Sequence, residues 1–283
     1  MVQWRGRRKS GNIVDVRGGG GRRRGAVAGG SLGCGTLVLV LIAVLLGVDP
    51  REILGLVGGG QQAQVQQPQT TGQQPTDEAG AFTSVILAST EDVWNQLFRV
   101  SGYQYTEPRL VLYNDQVRSA CGINGAATGP FYCPADQQVY IDLSFLRDLQ
   151  RLGAPGDFAF AYVIAHEVGH HIQTLTGVSQ QVSQAQRRSS QTRANQLSVL
   201  LELQADCYAG VWAHYANQEG YIEPGDIEEG LQAAAAIGDD RLARMSGRPV
   251  QPDGFTHGTS AQRVQWFRTG FQTGDTDACN TFS

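Results

Sequence analysis

Apolar and polar positions divide this chain into blocks. From Thr36 to Val48 (TLVLVLIAVLLGV) it is almost wholly aliphatic, and no charged residue occurs between Gly25 and Val48. At about 1.5 Å per residue such a block spans the roughly 30 Å hydrocarbon core of a bilayer, which predicts a transmembrane helix over 25–48. Residues 49–80 follow as a Gln/Gly-rich tether, since Gly58 to Gly80 holds almost no large apolar residue to bury. The remaining stretch, 81–283, is long enough for one sizeable core.

Within that body the periodicity predicts mostly helices. Phe82 to Val100 reads as helical, with Thr90-Glu91-Asp92 resembling a cap at an internal break and Val93, Trp94, Leu97 and Phe98 on one face. Leu110 to Tyr113 and the alternating, β-branched Gln138 to Leu143 read as strands, separated by a loop with Gly122, Gly125 and Gly129. Ser144 is placed to cap a helix over Phe145 to Leu152, and Asp157 to cap one running to about Leu175. Phe158, Phe160, Tyr162, Val163 and Ile164 make this second helix apolar enough to be buried. Ser179 to Ser198 is polar, an exposed helix or a mobile connection. Leu200 to Tyr215 is apolar again, Ile227 to Ala243 is Ala-rich, and a last helix presents Val264, Trp266, Phe267 and Phe271. Many helices with few strands predict an α+β domain.

Charge adds a direction to this picture. Eight of the 22 basic residues fall in the first 24 positions, with Asp15 as the single acid there, which leaves 14 bases against 25 acids beyond. Phosphates would be repelled by such a body, so no nucleic-acid partner is expected. The arginine-rich 1–24 reads as a cytoplasmic tail that fixes topology, placing the body outside a bacterial cytoplasmic membrane on a single-pass helix. Cys34 lies in the predicted membrane segment, next to Gly33 and Gly35. The other four cysteines, Cys121, Cys133, Cys207 and Cys279, are even in number, which predicts two disulfides in that compartment. Three connectivities are open to them. Cys121–Cys133 would close the Gly-rich loop and Cys207–Cys279 would tie the C-terminal tail to the body. A zinc site built from them lacks C-x-x-C spacing.

The chemistry lies at Ala161-Tyr-Val-Ile-Ala-His-Glu-Val-Gly-His-His171, where His166, Glu167 and His170 spell H-E-x-x-H. On a helix a four-residue step turns about 400°, so His166 and His170 face one way, roughly 6 Å apart, as two ligands of one Zn²⁺. Glu167 falls about 100° round from His166, beside the metal, where a general base is needed. A catalytic site requires a third protein ligand. Glu202 lies 32 residues after His170, within reach of a returning helix. Asp206 shares its face and is placed to accept the other ring N–H of a ligand histidine. The apolar neighbours Leu200, Leu201, Leu203 and Ala205 argue against a solvated pair of carboxylates.

H-E-x-x-H followed by E-x-x-x-D resembles the gluzincin zinc peptidases. The chain more closely resembles the predicted neutral zinc metallopeptidase family of bacterial membrane proteins. That resemblance is carried by Trp4-Arg-Gly-Arg-Arg8, Gly129-Pro-Phe-Tyr-Cys-Pro134, Val139-Tyr-Ile-Asp-Leu143, the histidine motif, Glu202-Leu-Gln-Ala-Asp-Cys207, Thr256-His-Gly-Thr-Ser260 and Cys279-Asn-Thr-Phe282. It implies a zincin-like domain with a small sheet, Zn²⁺ held by His166, His170 and Glu202, and Glu167 as base. A polypeptide substrate is the expectation from the H-E-x-x-H chemistry itself, since the resemblance does not bring a substrate with it. An oxyanion then needs a further donor. His257 in its turn-like loop is the candidate, or else a loop histidine bonded to its own backbone; Tyr215 is a weaker one. His171 points off the ligand face and His214 reads as structural. The strand Val139 to Leu143 is either the cleft edge on which a peptide pairs or an ordinary core strand. The leading expectation is a membrane-anchored zinc endopeptidase. The alternative is a non-catalytic, zinc-stabilised scaffold, against which an unligated Glu167 argues.

Overall fold

A computed structural model of the chain describes residues 1–17, 74–125 and 128–283. The first strand, β1 (Ile13–Asp15), comes from the basic N-terminal stretch, and the chain re-enters at Gln74 to form α1 (Glu78–Val100). Strand β2 (Arg109–Tyr113), the hairpin β3 (Gln116–Ser119) and β4 (Gly122–Gly125), β5 (Phe131–Cys133) and β6 (Gln138–Asp142) follow. Then come α2 (Phe145–Arg151), α3 (Asp157–Leu175), α4 (Val178–Gln186), α5 (Gln191–Gln218), α6 (Asp226–Ala236), α7 (Asp239–Met245) and α8 (Ser260–Thr273). The architecture is mixed α+β, with one sheet ordered β1-β2-β6-β5 and the hairpin beside it. Strands β1, β2 and β6 run parallel, and β5 closes the sheet antiparallel to β6.

Helix α3 is the axis of the core. Phe158, Phe160, Tyr162 and Ile164 have no exposed surface, so protein covers the helix on every side. The sheet and α1 lie against it, as do α5 and α6. Close approach of the helices is set by glycine. A Cβ on Gly169 of α3 would stand 3.0 Å from the Ala205 carbonyl of α5. At the crossing of α5 and α8, a Cβ on Gly210 would come within 2.1 Å of the Phe267 carbonyl and one on Gly270 within 1.9 Å of the Cys207 carbonyl. Backbones therefore touch where side chains would hold them apart.

Several sequence expectations change. Helix α1 has no break at Thr90: Glu91 is buried and accepts bonds from Arg8, Ser10 and Asn12 of the N-terminal segment. Gly156, not Asp157, is the N-cap of α3, and Asp157 instead accepts the Val2 amide at 3.0 Å. The Ala-rich helix ends at Ala236 and restarts at Asp239, with Gly238 between them in extended backbone where a Cβ would stand 2.4 Å from the Ser260 amide. The polar 179–198 stretch is helical, split between α4 and a 28-residue α5 capped by Ser190.

The predicted transmembrane helix and single-pass placement are also corrected. Among the described residues no helix is long and apolar enough to cross a membrane, and residues 25–48 lie outside the described residues. A chain crossing a bilayer once leaves its ends on opposite faces, yet Ile13–Asp15 pairs in register with Leu110–Leu112. The arginines of this segment are used within the fold. Arg8 bridges Glu91 at 2.9 Å and Asp92 at 2.8 Å, Arg17 bridges Asp15 and Asp77, and Arg7 lies over the Tyr221 ring. Val2 and Ile13 are 5% and 1% exposed. Deleting residues 1–17 should therefore cost about 3 kcal/mol or more of unfolding free energy, from two buried side chains and a sheet strand. A denaturant titration measures this, and a peptide of residues 1–17 added in trans should recover part of the loss; an unchanged midpoint would refute the integral role of β1.

Candidate metal centre

The H-E-x-x-H turn lies in the middle of α3, and α5 runs past it with its Leu201–Asp206 stretch facing the histidines. Gly169, between the two ligand positions, admits the α5 backbone. The result is a triad: Glu202 Oε2 lies 3.2 Å from His166 Nε2 and Glu202 Oε1 lies 3.4 Å from His170 Nε2. The two rings are nearly perpendicular, with centroids 4.8 Å apart. Two ligands about 2.0–2.1 Å from one tetrahedral zinc stand about 3.3 Å apart, so these separations suit a shared ion. Two imidazoles and one carboxylate, with no fourth protein ligand grouped with them among the described residues, make the donor set of an open zinc site.

Each imidazole is held from behind. His166 Nδ1 lies 2.9 Å from Asp206 Oδ1, and His170 Nδ1 lies 2.9 Å from Gln173 Oε1. Both acceptors require the Nδ1–H tautomer in a neutral ring, which leaves each Nε2 bare toward Glu202. Asp206 is fully buried and is compensated by Arg263, whose Nε and Nη2 reach its two oxygens at 2.8 and 2.9 Å. Tyr162 also donates to Asp206 Oδ1. Burial alone would push the Asp206 carboxyl up, but Arg263 and His166 hold it below its ordinary range.

Electrostatics point to a cation. Burial would lower His166, yet Asp206 and Glu202 raise its pKa to about 10, and His170 rises as well beside Glu202. Glu202 works against its own burial in the same way: His170, His257 and the contacts with both imidazoles keep it well below the usual carboxylate range. Glu167 differs. It is 7% exposed, and burial pushes its carboxyl up against the pull of His170 and His166. No protein donor among the described residues reaches it.

The remaining candidates fall at varied distances from the triad. His257 lies in the loop before α8, half exposed, with Nδ1 3.3 Å from Asp239 Oδ1. Asp239 Oδ2 accepts the backbone N–H groups of Thr256, His257 and Gly258 at 2.8, 2.7 and 3.1 Å, which fixes the loop. Desolvation would lower His257, but the charges of Glu202 and Asp239 raise it, which puts the ring within electrostatic range of the triad. Tyr215 sits 13 residues along α5 from Glu202, about 20 Å away, and meets the His214 ring edge-on instead. His171 is fully buried away from the triad, bonded to Tyr132 Oη at 3.0 Å and to the Thr106 carbonyl at 2.6 Å. His214 donates to the Phe271 carbonyl at 2.8 Å and ties α5 to α8. The cysteines pair as Cys121–Cys133 and Cys207–Cys279.

Three residues of the centre escape the sequence reading. Tyr162 precedes His166 by four positions, so the face Tyr162–His166–His170 was readable. Arg263 stands four before Phe267 and seven before Gly270, on the buried face of α8. Gln173 follows the motif by one turn. The strand β6 is paired on both sides, by β2 and β5, so it offers no free edge; β5 is the outer strand.

The chain belongs to the family described as "Putative neutral zinc metallopeptidase", whose family model matches residues 2–282. It is 50% identical over 285 residues to the uncharacterized protein YpfJ of Escherichia coli strain K12, with 99% of each chain covered. It is 39% identical over 254 residues to the uncharacterized protein Rv2575 of Mycobacterium tuberculosis strain H37Rv, covering 85% of each chain. No solved structure matches it.

Two outcomes follow from this centre. Replacing Arg263 with Met strands the Asp206 charge inside the protein and should cost about 3–5 kcal/mol, read from denaturant midpoints. In the metal-free protein His166 carries a proton that Zn²⁺ must displace, so apparent zinc affinity should rise about tenfold per pH unit between about pH 6 and 8. Chelator competition at several pH values tests this; a flat profile would contradict the presence of that proton on His166 in the metal-free protein.

Proposed function

We propose that this protein is a zinc-dependent peptidase that hydrolyses internal peptide bonds of polypeptides. The observation that carries the reading is the convergence of one carboxylate on two imidazole Nε2 atoms, with a buried, unligated Glu167 alongside. His166, His170 and Glu202 hold the ion. When bound, Zn²⁺ supplies a Lewis acid that polarises the scissile carbonyl and makes water nucleophilic near neutral pH.

The protein's own groups do the rest. Glu167 takes the proton of the attacking water at its carboxylate and returns it to the departing amine. Its burial raises the proton affinity of that carboxyl, which suits a group that must hold and then release a proton near neutral pH. Asp206 and Gln173 keep the two imidazoles in the ligating tautomer. His257 is the candidate donor to the developing oxyanion, because its loop is held by Asp239 while its ring remains half open to solvent. The outer strand β5 lies against α3, through Tyr132 and His171, and among the described residues no strand covers its free edge. An extended peptide could pair along that edge, and such pairing selects flexible polypeptide over folded protein.

The test uses the full chain reconstituted with zinc and an unfolded polypeptide substrate. Glu167→Gln should lower the rate by about 10²–10⁴-fold while zinc content and thermal midpoint stay at parental values. A chelator should abolish cleavage and added zinc restore it. Equal rates for parent and Glu167→Gln would end this mechanism.

A further inference from the structure

The two ligand histidines are held by unlike partners. Behind His166 stands a carboxylate with its counter-charge. Behind His170 stands a file of neutral amides. Gln173 Oε1 faces His170 Nδ1 at 2.9 Å, while Gln173 Nε2 donates to the Leu201 carbonyl at 2.7 Å and to Gln204 Oε1 at 3.1 Å. Gln204 Nε2 in turn donates to the Cys279 carbonyl at 3.1 Å. Gln173 is 0% exposed and Gln204 6%, so water does not compete for these groups.

The direction of this file is forced from its far end. A backbone carbonyl only accepts, so Gln204 must present its NH₂ group to Cys279 and its oxygen to Gln173. Gln173 must then turn its NH₂ toward Gln204 and Leu201, which leaves its oxygen for His170. That oxygen only accepts, so His170 must carry its proton on Nδ1 and keep Nε2 bare for the metal. The Cys279 carbonyl is itself anchored, since Cys279 is joined to Cys207 on α5, one residue beyond Asp206.

We propose that Gln173 and Gln204 are positioning residues that fix the tautomer and orientation of His170, through a directed amide relay ending at the disulfide-anchored Cys279 carbonyl. This rests on the reading of His170 as a zinc ligand. It differs from the His166 side in kind: a neutral amide holds the ring without adding negative charge, and so needs no counter-charge such as Arg263 supplies to Asp206. Gln173 touches no substrate and no reacting atom. It acts through His170.

The experiment measures zinc dissociation constants of the full chain by chelator competition, together with the imidazole N–H proton resonances of the zinc-loaded protein. The parent should show slowly exchanging Nδ1–H signals for both His166 and His170. Gln173→Met should weaken zinc binding by about 10–100-fold, the range for loss of a partner behind a metal-bound histidine, and should remove or shift the His170 signal while leaving that of His166 in place. Gln204→Met, one bond further out, should move the same signal with a smaller loss of affinity, because the Leu201 carbonyl still orients Gln173. It keeps the proposal testable if the first variant fails to fold. A general structural defect would disturb both histidines together, and that outcome overturns the relay. So does a folded Gln173→Met or Gln204→Met protein whose zinc affinity and His170 signal match the parent, with the zinc site itself left standing. A parent chain that binds no zinc brings down the metal assignment and the relay with it.

Discussion

Asp206 and Arg263 are buried together between α3, α5 and α8, and the candidate metal centre depends on their pairing. An aspartate with no exposed surface is sustainable only if its charge is balanced and its lone pairs are filled. Arg263 supplies the balance through two bonds, and Tyr162 and His166 take what remains. Because the Arg263 guanidinium cancels Asp206, the carboxylate can orient His166 without making the centre more negative. Glu202 and Glu167 are then left as the anionic groups that face the metal side. Arg263 also lies 3.9 Å from Glu202 Oε2, near enough to temper that charge without competing for the ligand position.

This pairing exists because helix backbones come unusually close. Arg263 reaches Asp206 only where α8 crosses α5 at Gly210 and Gly270, and Glu202 reaches the histidines only where α5 passes Gly169 of α3. The three glycines are thus part of the site although none carries a functional group. A methyl at Gly270 would meet the Cys207 carbonyl at 1.9 Å, so even alanine must push α8 outward and draw Arg263 off its partner. The disulfide Cys207–Cys279 leaves α5 at this crossing and secures the tail whose carbonyl ends the amide relay.

What the sequence reveals follows from how local each signal is. His166, Glu167 and His170 were legible because helical periodicity alone sets their geometry. Glu202 and Asp206 needed only the added assumption that a second helix returns, which an apolar stretch with two stranded carboxylates supports. Arg263 was not legible in that way: a lone arginine on an amphipathic helix normally reaches water, and its buried partner is 57 residues away. The short strands β1, β3, β4 and β5 were missed for a related reason, since three or four residues carry too little alternation to register. Helix α1 was misread at Thr90-Glu91-Asp92 because polar residues in a helix look like a cap until their partners are known.

The N-terminal segment shows most plainly how one charge pattern can serve two physical ends. Clustered arginines before an apolar run satisfy the rule for membrane topology, but that rule counts charges without asking what they touch. Here Arg8 meets buried Glu91, Arg17 meets Asp15 and Asp77, and Arg7 caps the Tyr221 ring and the end of α5 through the Glu219 and Gly220 carbonyls. Glu91 decides between the readings. A glutamate that is 1% exposed in the middle of a helix would be a severe cost if its partners stood across a membrane, and it becomes a fixed point of the fold once Arg8, Ser10 and Asn12 close over it. Arg8 and the buried Glu91 are complementary halves of one contact, which Ser10 and Asn12 complete just before β1 pairs with β2.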